Sequence, residues 1–160
     1  MKLYINEKLI SMHNKFYITD EKHNNLFEIT NKVLTIGRKT SINDMSGNEL
    51  IYIEEELFKL FESHYNVFCK GNFSYKIIKR FNIIKKVYEL SNGYTAEGDI
   101  FNFCLSIYDN EQKHIANINK HIISIGDKYE IEVYDESKII VILAIAATVV
   151  NDIDRNQRNN

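Results

Sequence analysis

The architecture of the chain depends on one apolar segment near its end, Lys138-Ile139-Ile140-Val141-Ile142-Leu143-Ala144-Ile145-Ala146-Ala147-Thr148-Val149-Val150. Its three alanines and the preceding Asp135-Glu136-Ser137, which suits a helix cap, favour a helix, although its β-branched residues would also tolerate a buried strand. A helix of about 12 residues rises about 18 Å, whereas a bilayer core is about 30 Å thick. Because the segment is hydrophobic on every face, we expect protein to surround it.

An internal repeat precedes this segment. Asp20, Asp44 and Asp109 each have an isoleucine two residues earlier and another nine residues later. Polar and apolar residues alternate on both sides of turn-forming stretches such as Met45-Ser46-Gly47-Asn48. Each repeat therefore predicts a β-hairpin, and the chain up to Tyr134 is predicted to form about a dozen antiparallel strands.

The strands and the helix fit together in one architecture. About a dozen antiparallel strands close into a barrel wider than the roughly eight-stranded kind that side chains alone can fill, and a hydrophobic helix fills the remaining space. We predict an all-β fold with one helix, a closed antiparallel barrel of about 12 strands around a buried C-terminal helix. The expected central residues of that helix are Ile139, Ile142, Leu143, Ala146 and Val149. The predicted domain spans 1–152, with the helix at about 137–150 and a polar flexible tail at 153–160.

Composition limits the class of protein. The chain has 160 residues, of which 44% are hydrophobic and 26% charged, as in ordinary globular domains. Its formal net charge of -2 gives no general electrostatic reason to expect nucleic acid as a partner, although a local patch could still bind an anionic surface. Cys69 and Cys104 lack metal-type or redox-type spacing, and residues 1–7 lack the apolar segment of a signal peptide. We therefore expect a cytoplasmic protein with reduced thiols.

Several motifs resemble the bacterial members of the LURP-one-related (LOR) family. They are Phe16-Tyr17-Ile18-Thr19-Asp20, Ile42-Asn43-Asp44-Met45-Ser46-Gly47-Asn48-Glu49, Tyr75-Lys76-Ile77-Ile78-Lys79-Arg80-Phe81, Ala96-Glu97-Gly98-Asp99 and the terminal apolar segment. The resemblance covers about residues 1–152 and implies a fold similar to the tubby C-terminal domain and the phospholipid scramblases, a 12-stranded barrel around a C-terminal helix. Tubby domains bind phosphoinositide head groups and scramblases move phospholipids. By fold-level analogy, the resemblance implies a lipid-related ligand and assigns no catalytic residue.

The strongest candidate site is a basic stretch. Residues 63–87 contain no acidic side chain but six basic ones, and the proposed anionic-ligand residues among them are Lys76, Lys79, Arg80, Lys85 and Lys86. Alternation places Lys76 and Arg80 on one face of a strand and Lys79 on the other. Two interpretations stay open. The lysines either pair across strands with the acidic residues of 54–62, or they bind a phosphate or head group, to which Arg80 would add two-pronged hydrogen bonds.

Other residue types predict no site. The five histidines, His13, His23, His64, His114 and His121, show neither HExxH spacing nor a nearby cysteine pair, so we expect no metal and no cofactor. Residues 37–41 (Gly-Arg-Lys-Thr-Ser) resemble the end of a phosphate-binding loop but lack its upstream glycine, and are expected to lead into a strand. Cys69 occupies a repeat position typical of a strand residue rather than a nucleophile. We name no catalytic residue.

Three functional hypotheses follow. The first is a non-enzymatic, cytoplasmic binding module whose exterior loops or basic strands face a phospholipid head group or another anionic ligand. If the ligand is a lipid, the module would lie at the membrane surface as a peripheral protein. The second is a protein-interaction or structural domain without a small ligand. The third is scramblase-like lipid handling, which requires the apolar segment to reach the membrane. Burial of that segment inside the barrel would count against the third hypothesis.

Overall fold

The structure is a computed structural model that describes residues 1–6, 15–32, 37–56, 62–80, 85–99, 104–121 and 128–158. These residues form twelve strands, a short 3-10 turn at Glu136–Lys138 and one α-helix, α1 (Ile139–Arg158). The strands are β1 (Lys2–Asn6), β2 (Lys15–Thr19), β3 (Asn25–Lys32), β4 (Lys39–Asp44), β5 (Glu49–Glu56), β6 (Ser63–Cys69), β7 (Asn72–Arg80), β8 (Lys85–Leu90), β9 (Thr95–Asp99), β10 (Cys104–Tyr108), β11 (His114–His121) and β12 (Lys128–Val133).

The strands form a closed antiparallel barrel. Each strand pairs with its neighbours in the chain, and β1 pairs with both β2 and β12, which completes the cylinder. In the closing pair, Leu3 lies opposite Ile131 and Ile5 opposite Tyr129. The predicted fold class, a 12-stranded barrel with one C-terminal helix, is confirmed. Closure satisfies the edge hydrogen bonds that an open sheet would expose.

Alternation along each strand sends one set of side chains inward, where they meet the helix. The inward residues at mid-barrel are apolar and fully buried, among them Ile18, Ile42, Ile77 and Leu105. Four of the five predicted central helix residues, Ile142, Leu143, Ala146 and Val149, have no solvent exposure, and the fifth, Ile139, is half-buried against the core. The apolar helix is therefore surrounded by the barrel wall, as its composition predicts.

The helix is longer than predicted. It begins at Ile139, just after the Asp135 carboxylate accepts a hydrogen bond from the Ser137 backbone N–H (3.1 Å), and it ends at Arg158 rather than near residue 150. Ile153 is buried, and α1 continues through residues 153–158, which the sequence predicted as part of a polar flexible tail. Arg155, one of the polar residues behind that prediction, pairs with Glu55 of β5. Residues 159 and 160 of the predicted tail lie outside the described residues.

The repeat aspartates have a structural explanation. Asp44 is the last residue of β4, while Asp20 and Asp109 directly follow β2 and β10. The Oδ1 atom of each accepts backbone N–H groups two and four residues later at 2.8–2.9 Å. The third residue after each aspartate, His23, Gly47 or Gln112, has a left-handed φ of 62°, 86° or 63°. This local chemistry closes the same five-residue turn three times, so the predicted hairpins are confirmed.

The two ends of the barrel differ. Five hairpin turns, at residues 20–24, 44–48, 70–71, 90–94 and 109–113, lie at the end where α1 begins. We call this the turn end. The C-terminal half of α1 lies at the opposite end, beside the start of β4 and the ends of β5 and β7, because alternate strands run in opposite directions. We call this the mouth.

Candidate basic site at the barrel mouth

The structure separates the five predicted basic residues into two groups. Three of them lie outside the barrel and pair with acidic residues of neighbouring segments: Lys76 with Glu56 (2.6 Å), Arg80 with Glu62 and with Glu89 (2.8 Å), and Lys85 with Glu97 (3.7 Å). The hydrogen bond from Lys76 lowers the pKa of Glu56. These three residues follow the cross-strand pairing that the sequence left open as one interpretation.

The other two predicted residues, Lys79 and Lys86, face the helix at the mouth. Lys79 of β7 lies opposite Tyr88 of β8, and Lys86 precedes Tyr88 by two residues, so the three side chains share the inner face. The Lys79 Nζ lies 3.2 Å from Oδ2 of Asp152 on α1. A third lysine, Lys120 of β11, lies opposite the buried Tyr129 and joins them. We call Tyr65, Lys79, Lys86, Tyr88, Lys120 and Asp152 the mouth cluster.

Asp152 is the centre of the mouth cluster. Only 4% of it is exposed, and its carboxylate accepts hydrogen bonds from the Tyr65 hydroxyl (2.5 Å) and the Tyr88 hydroxyl (3.2 Å) in addition to its contact with Lys79. Burial, and then the nearby Asp152 charge, raise the pKa of both tyrosines, so their hydroxyls remain donors over the physiological pH range. A buried carboxylate is thus held by two hydroxyls and one ammonium group.

The lysines of the mouth cluster repel one another. The pKa of Lys86 is lowered to about 8 by burial first and then by the charges of Lys79 and Lys120, while the charge of Asp152 acts in the opposite direction. Lys120 also places its Nζ 5.6 Å from the ring centroid of Tyr129. Gathering ammonium groups in a half-buried position is electrostatically costly. Such an arrangement is typical of a site that accepts an anion.

A second polar network anchors the helix at the mouth. The Asn151 side-chain amide donates to the Thr40 hydroxyl (3.2 Å), and its oxygen accepts from the Asn31 amide (3.1 Å). The Arg38 guanidinium donates to the Asn151 backbone carbonyl, and Arg155 pairs with Glu55 at 2.9 Å. These contacts explain why the polar end of the chain continues as helix. They join α1 to β3, β4 and β5.

A small cavity lies beside this network. It is lined by Arg38, Thr40, Ile53, Tyr65, Thr148 and Asn151, and it encloses about 10 Å³. That volume accommodates about one water molecule, whereas small-molecule pockets are usually about 300–1,000 Å³. This cavity is therefore too small to hold an organic ligand.

The remaining candidate residues have ordinary structural positions. Lys39 begins β4 in the segment that resembled a phosphate-binding loop, and Cys69 ends β6 as predicted, while Cys104 is exposed. Within the described ranges, no group of three or more His, Cys, Asp or Glu side chains is placed to hold a metal ion. His13 lies outside those ranges. Of the described segments, none forms a helix with the length and apolarity that crossing a membrane requires.

Sequence reasoning missed Tyr65, Tyr88, Lys120 and Asp152 as members of the site. A signal existed for the strand residues, because Lys120 follows the inward Ile118 by two residues and Lys79 follows the inward Ile77 by two. Counting by two from a buried isoleucine therefore identifies lysines that face the helix. Asp152 gave no such signal, because its partners are distant in the chain.

Comparison with known proteins places the chain in a recognised group. A family model described as LURP-one-related (LOR) matches residues 1–150. The uncharacterized protein YxjI of Bacillus subtilis (strain 168) is 23% identical over 147 residues, covering 91% of this chain and 90% of that protein. The X-ray structure of an Arabidopsis thaliana protein (AT5G01750) superimposes with a TM-score of 0.60 at 16% identity, covering 96% of this chain and 90% of that one. At that identity the structural likeness concerns the fold alone.

Proposed function

Given that the chain belongs to the LURP-one-related (LOR) family, we propose that it is a non-enzymatic binding domain that holds a phosphate-bearing anion at the mouth of its barrel. The observation that supports this proposal is the mouth cluster, in which Lys79 lies 3.2 Å from the Asp152 carboxylate and the charges of Lys79 and Lys120 both act on Lys86. The tubby-like analogy of the fold favours a phospholipid head group as the source of the phosphate. A soluble phosphate compound has the same recognition chemistry.

The chemistry of the mouth cluster suits a phosphate group. Ammonium groups supply charge, and the Tyr65 and Tyr88 hydroxyls supply additional donors on the same inner face. Charge-assisted hydrogen bonds in a half-buried position are stronger than those at the surface, because less water competes for them. The exterior residues Lys76 and Arg80 are less suitable, since they lie on the outer face of the barrel, away from the Tyr65 and Tyr88 hydroxyls.

Vesicle flotation with the full chain tests the proposal. Vesicles of phosphatidylcholine, with or without phosphatidic acid, are compared with a parallel titration of inorganic phosphate. We expect binding to the phosphatidic acid vesicles. We expect that Lys79→Met with Lys86→Met weakens it by about tenfold or more, the effect of losing charge-assisted bonds.

The matched control is Lys76→Met with Arg80→Met, which removes the same formal charge from the exterior. It should weaken binding about twofold or less, because these residues lie on the outer face of the barrel and pair with glutamates there. Circular dichroism checks that both double variants fold. Equal losses in the two variants, or no binding to either phosphate probe, would contradict the proposal. Binding to inorganic phosphate alone would identify a soluble ligand as the source.

A second candidate, the protein-interaction domain, is favoured by an aromatic surface. Tyr52, Phe68 and Phe73 form a chain of ring contacts on β5, β6 and β7 with centroid distances of 5.9 and 5.8 Å, and Phe73 is 58% exposed. Exposed aromatic side chains are enriched in protein interfaces. Phe73→Ser should abolish partner capture under this alternative and leave phosphate binding unchanged. The scramblase-like alternative receives no support, since the helix that it requires at the membrane is buried.

A further inference from the structure

The position of Asp152 suggests how the proposed site is controlled. Its carboxylate already receives what an incoming phosphate would need: the hydroxyls of Tyr65 and Tyr88 and the ammonium group of Lys79. These donors come from three different strands and converge on a side chain that is 4% exposed. The chain thus binds one of its own anions at the place where its lysines meet.

At Lys86, the charge of Asp152 offsets only part of the repulsion from Lys79. The charges of Lys79 and Lys120 both repel the charged form of Lys86. The attraction of Asp152 for Lys86 is weaker than the repulsion from Lys79. A phosphate monoester carries up to two negative charges and three acceptor oxygens, so it can engage several ammonium groups at once. Replacement of the carboxylate by such a group would relieve the repulsion that the carboxylate leaves.

We propose that Asp152 is an internal counterion that competes with the ligand's phosphate for Lys79, Tyr65 and Tyr88, so that the ligand binds by displacing the Asp152 carboxylate. This inference rests on the proposed function. Asp152 lies near the C-terminal end of α1, where Arg155 is half-exposed and pairs with Glu55 at 2.9 Å. Loss of the Arg155–Glu55 pair would ease the withdrawal of the Asp152 carboxylate from its donors.

Displacement differs from simple binding beside the carboxylate. If the phosphate replaces Asp152, the Tyr88 hydroxyl donates to the phosphate in the complex, and its loss weakens binding. If the phosphate only sits beside Asp152, Tyr88 keeps its bond to the carboxylate, and its loss changes little. In both arrangements Asp152→Asn removes a negative charge, so only the two variants together separate them.

The experiment is calorimetric titration of the full chain with inorganic phosphate and, separately, with phosphatidic acid vesicles. We expect Asp152→Asn to bind about tenfold more tightly than the wild type and Tyr88→Phe about threefold or more weakly. Arg155→Ala, which loosens the end of the helix without touching the cluster, should bind more tightly. Tyr94→Phe, at the turn end, is the matched control for the loss of a hydroxyl and should bind like the wild type.

Thermal melting keeps the test decisive if Asp152→Asn is unstable. Without phosphate this variant should melt below the wild type, and added phosphate should raise its melting temperature more than that of the wild type. Suppose that the wild type binds phosphate. Unchanged or weaker binding by Asp152→Asn, or unchanged binding by Tyr88→Phe, then overturns the displacement, while the proposed function stands. Absence of binding in both the wild type and Asp152→Asn overturns the proposed function as well.

Discussion

The two ends of the barrel are built from different kinds of contact. At the turn end, Asp20, Asp44 and Asp109 bond to backbone groups two and four residues later in the chain. At the mouth, Asp152 bonds to tyrosines 64 and 87 residues away, and the Asn31–Asn151 contact joins residues 120 apart. Local contacts define the hairpins, whereas distant contacts create the polar site. An aspartate therefore has a purely structural role at one end and a candidate functional role at the other.

The largest effect should come from placing an aspartate in the apolar part of the helix. Ile142→Asp buries a charge at a fully buried position in the apolar part of the helix. We expect a loss of at least about 4 kcal/mol in the free energy of unfolding, which is a large part of the stability of a typical domain. Ile142→Val is the control and should cost about 1 kcal/mol. An Ile142→Asp protein as stable as Ile142→Val would refute the buried helix.

The next largest loss of stability should come from a substitution in the barrel wall near the mouth. Gly98 lies opposite Lys86 on one side and Leu105 on the other, and a Cβ atom there would overlap the backbone carbonyl of Cys104. Gly98→Ala should therefore lower the free energy of unfolding by about 3 kcal/mol, measured by urea denaturation. Glu97→Ala, one residue earlier and partly exposed, should change it by less than about 1 kcal/mol. Equal effects would argue against the close approach of β9 and β10.

A smaller effect tests the turn end. Asp44→Ala removes the acceptor of two backbone N–H groups and should lower the free energy of unfolding, whereas Asp44→Asn keeps one acceptor oxygen and should lower it less. The Asn48 side chain lowers the pKa of Asp44, so the stabilisation is present above the ordinary pKa of about 3.9 and is lost as the pH falls below it. Stability curves of the wild type and Asp44→Ala should converge in acid. A constant difference down to pH 2 would contradict this role.

The smallest effect should appear at the mouth as a pH dependence. The pKa of Lys86 is about 8 in the folded chain and 10.5 ordinarily, so the unfolded state binds more protons between these values, and stability rises with pH in that window. The ionisable groups that act on Lys86 among the described residues are Lys79 of β7, Lys120 of β11 and Asp152 of α1. Lys86→Met should be more stable than the wild type near pH 7, and its advantage should shrink above pH 8. If the stability advantage of Lys86→Met instead grew with pH, the lowered pKa of Lys86 would be contradicted.

The sequence predicts the turn end well because its determinants are local. The spacing of Asp20, Asp44 and Asp109 from their isoleucines predicts the hairpins, and the composition of residues 138–150 predicts a helix surrounded by strands. The site is only partly predictable. Periodicity places Lys79 and Lys86 on strands but does not show that Lys120 of β11, three strand pairings away from Lys86 of β8, lies close enough to act on it. The length of the helix is also missed, since Asn151 and Arg155 are held by distant partners.

The most direct test of the mouth cluster is to measure the pKa of the Lys86 ammonium group. NMR of lysine-labelled protein gives this value with and without inorganic phosphate. We predict a value of about 8 in the free protein and a clear rise when phosphate is added, because a bound anion favours the charged lysine. Lys85, which lies on the exterior beside Glu97, is the internal reference. A Lys86 pKa near 10.5 that does not respond to phosphate would contradict both the buried cluster and its role in binding anions.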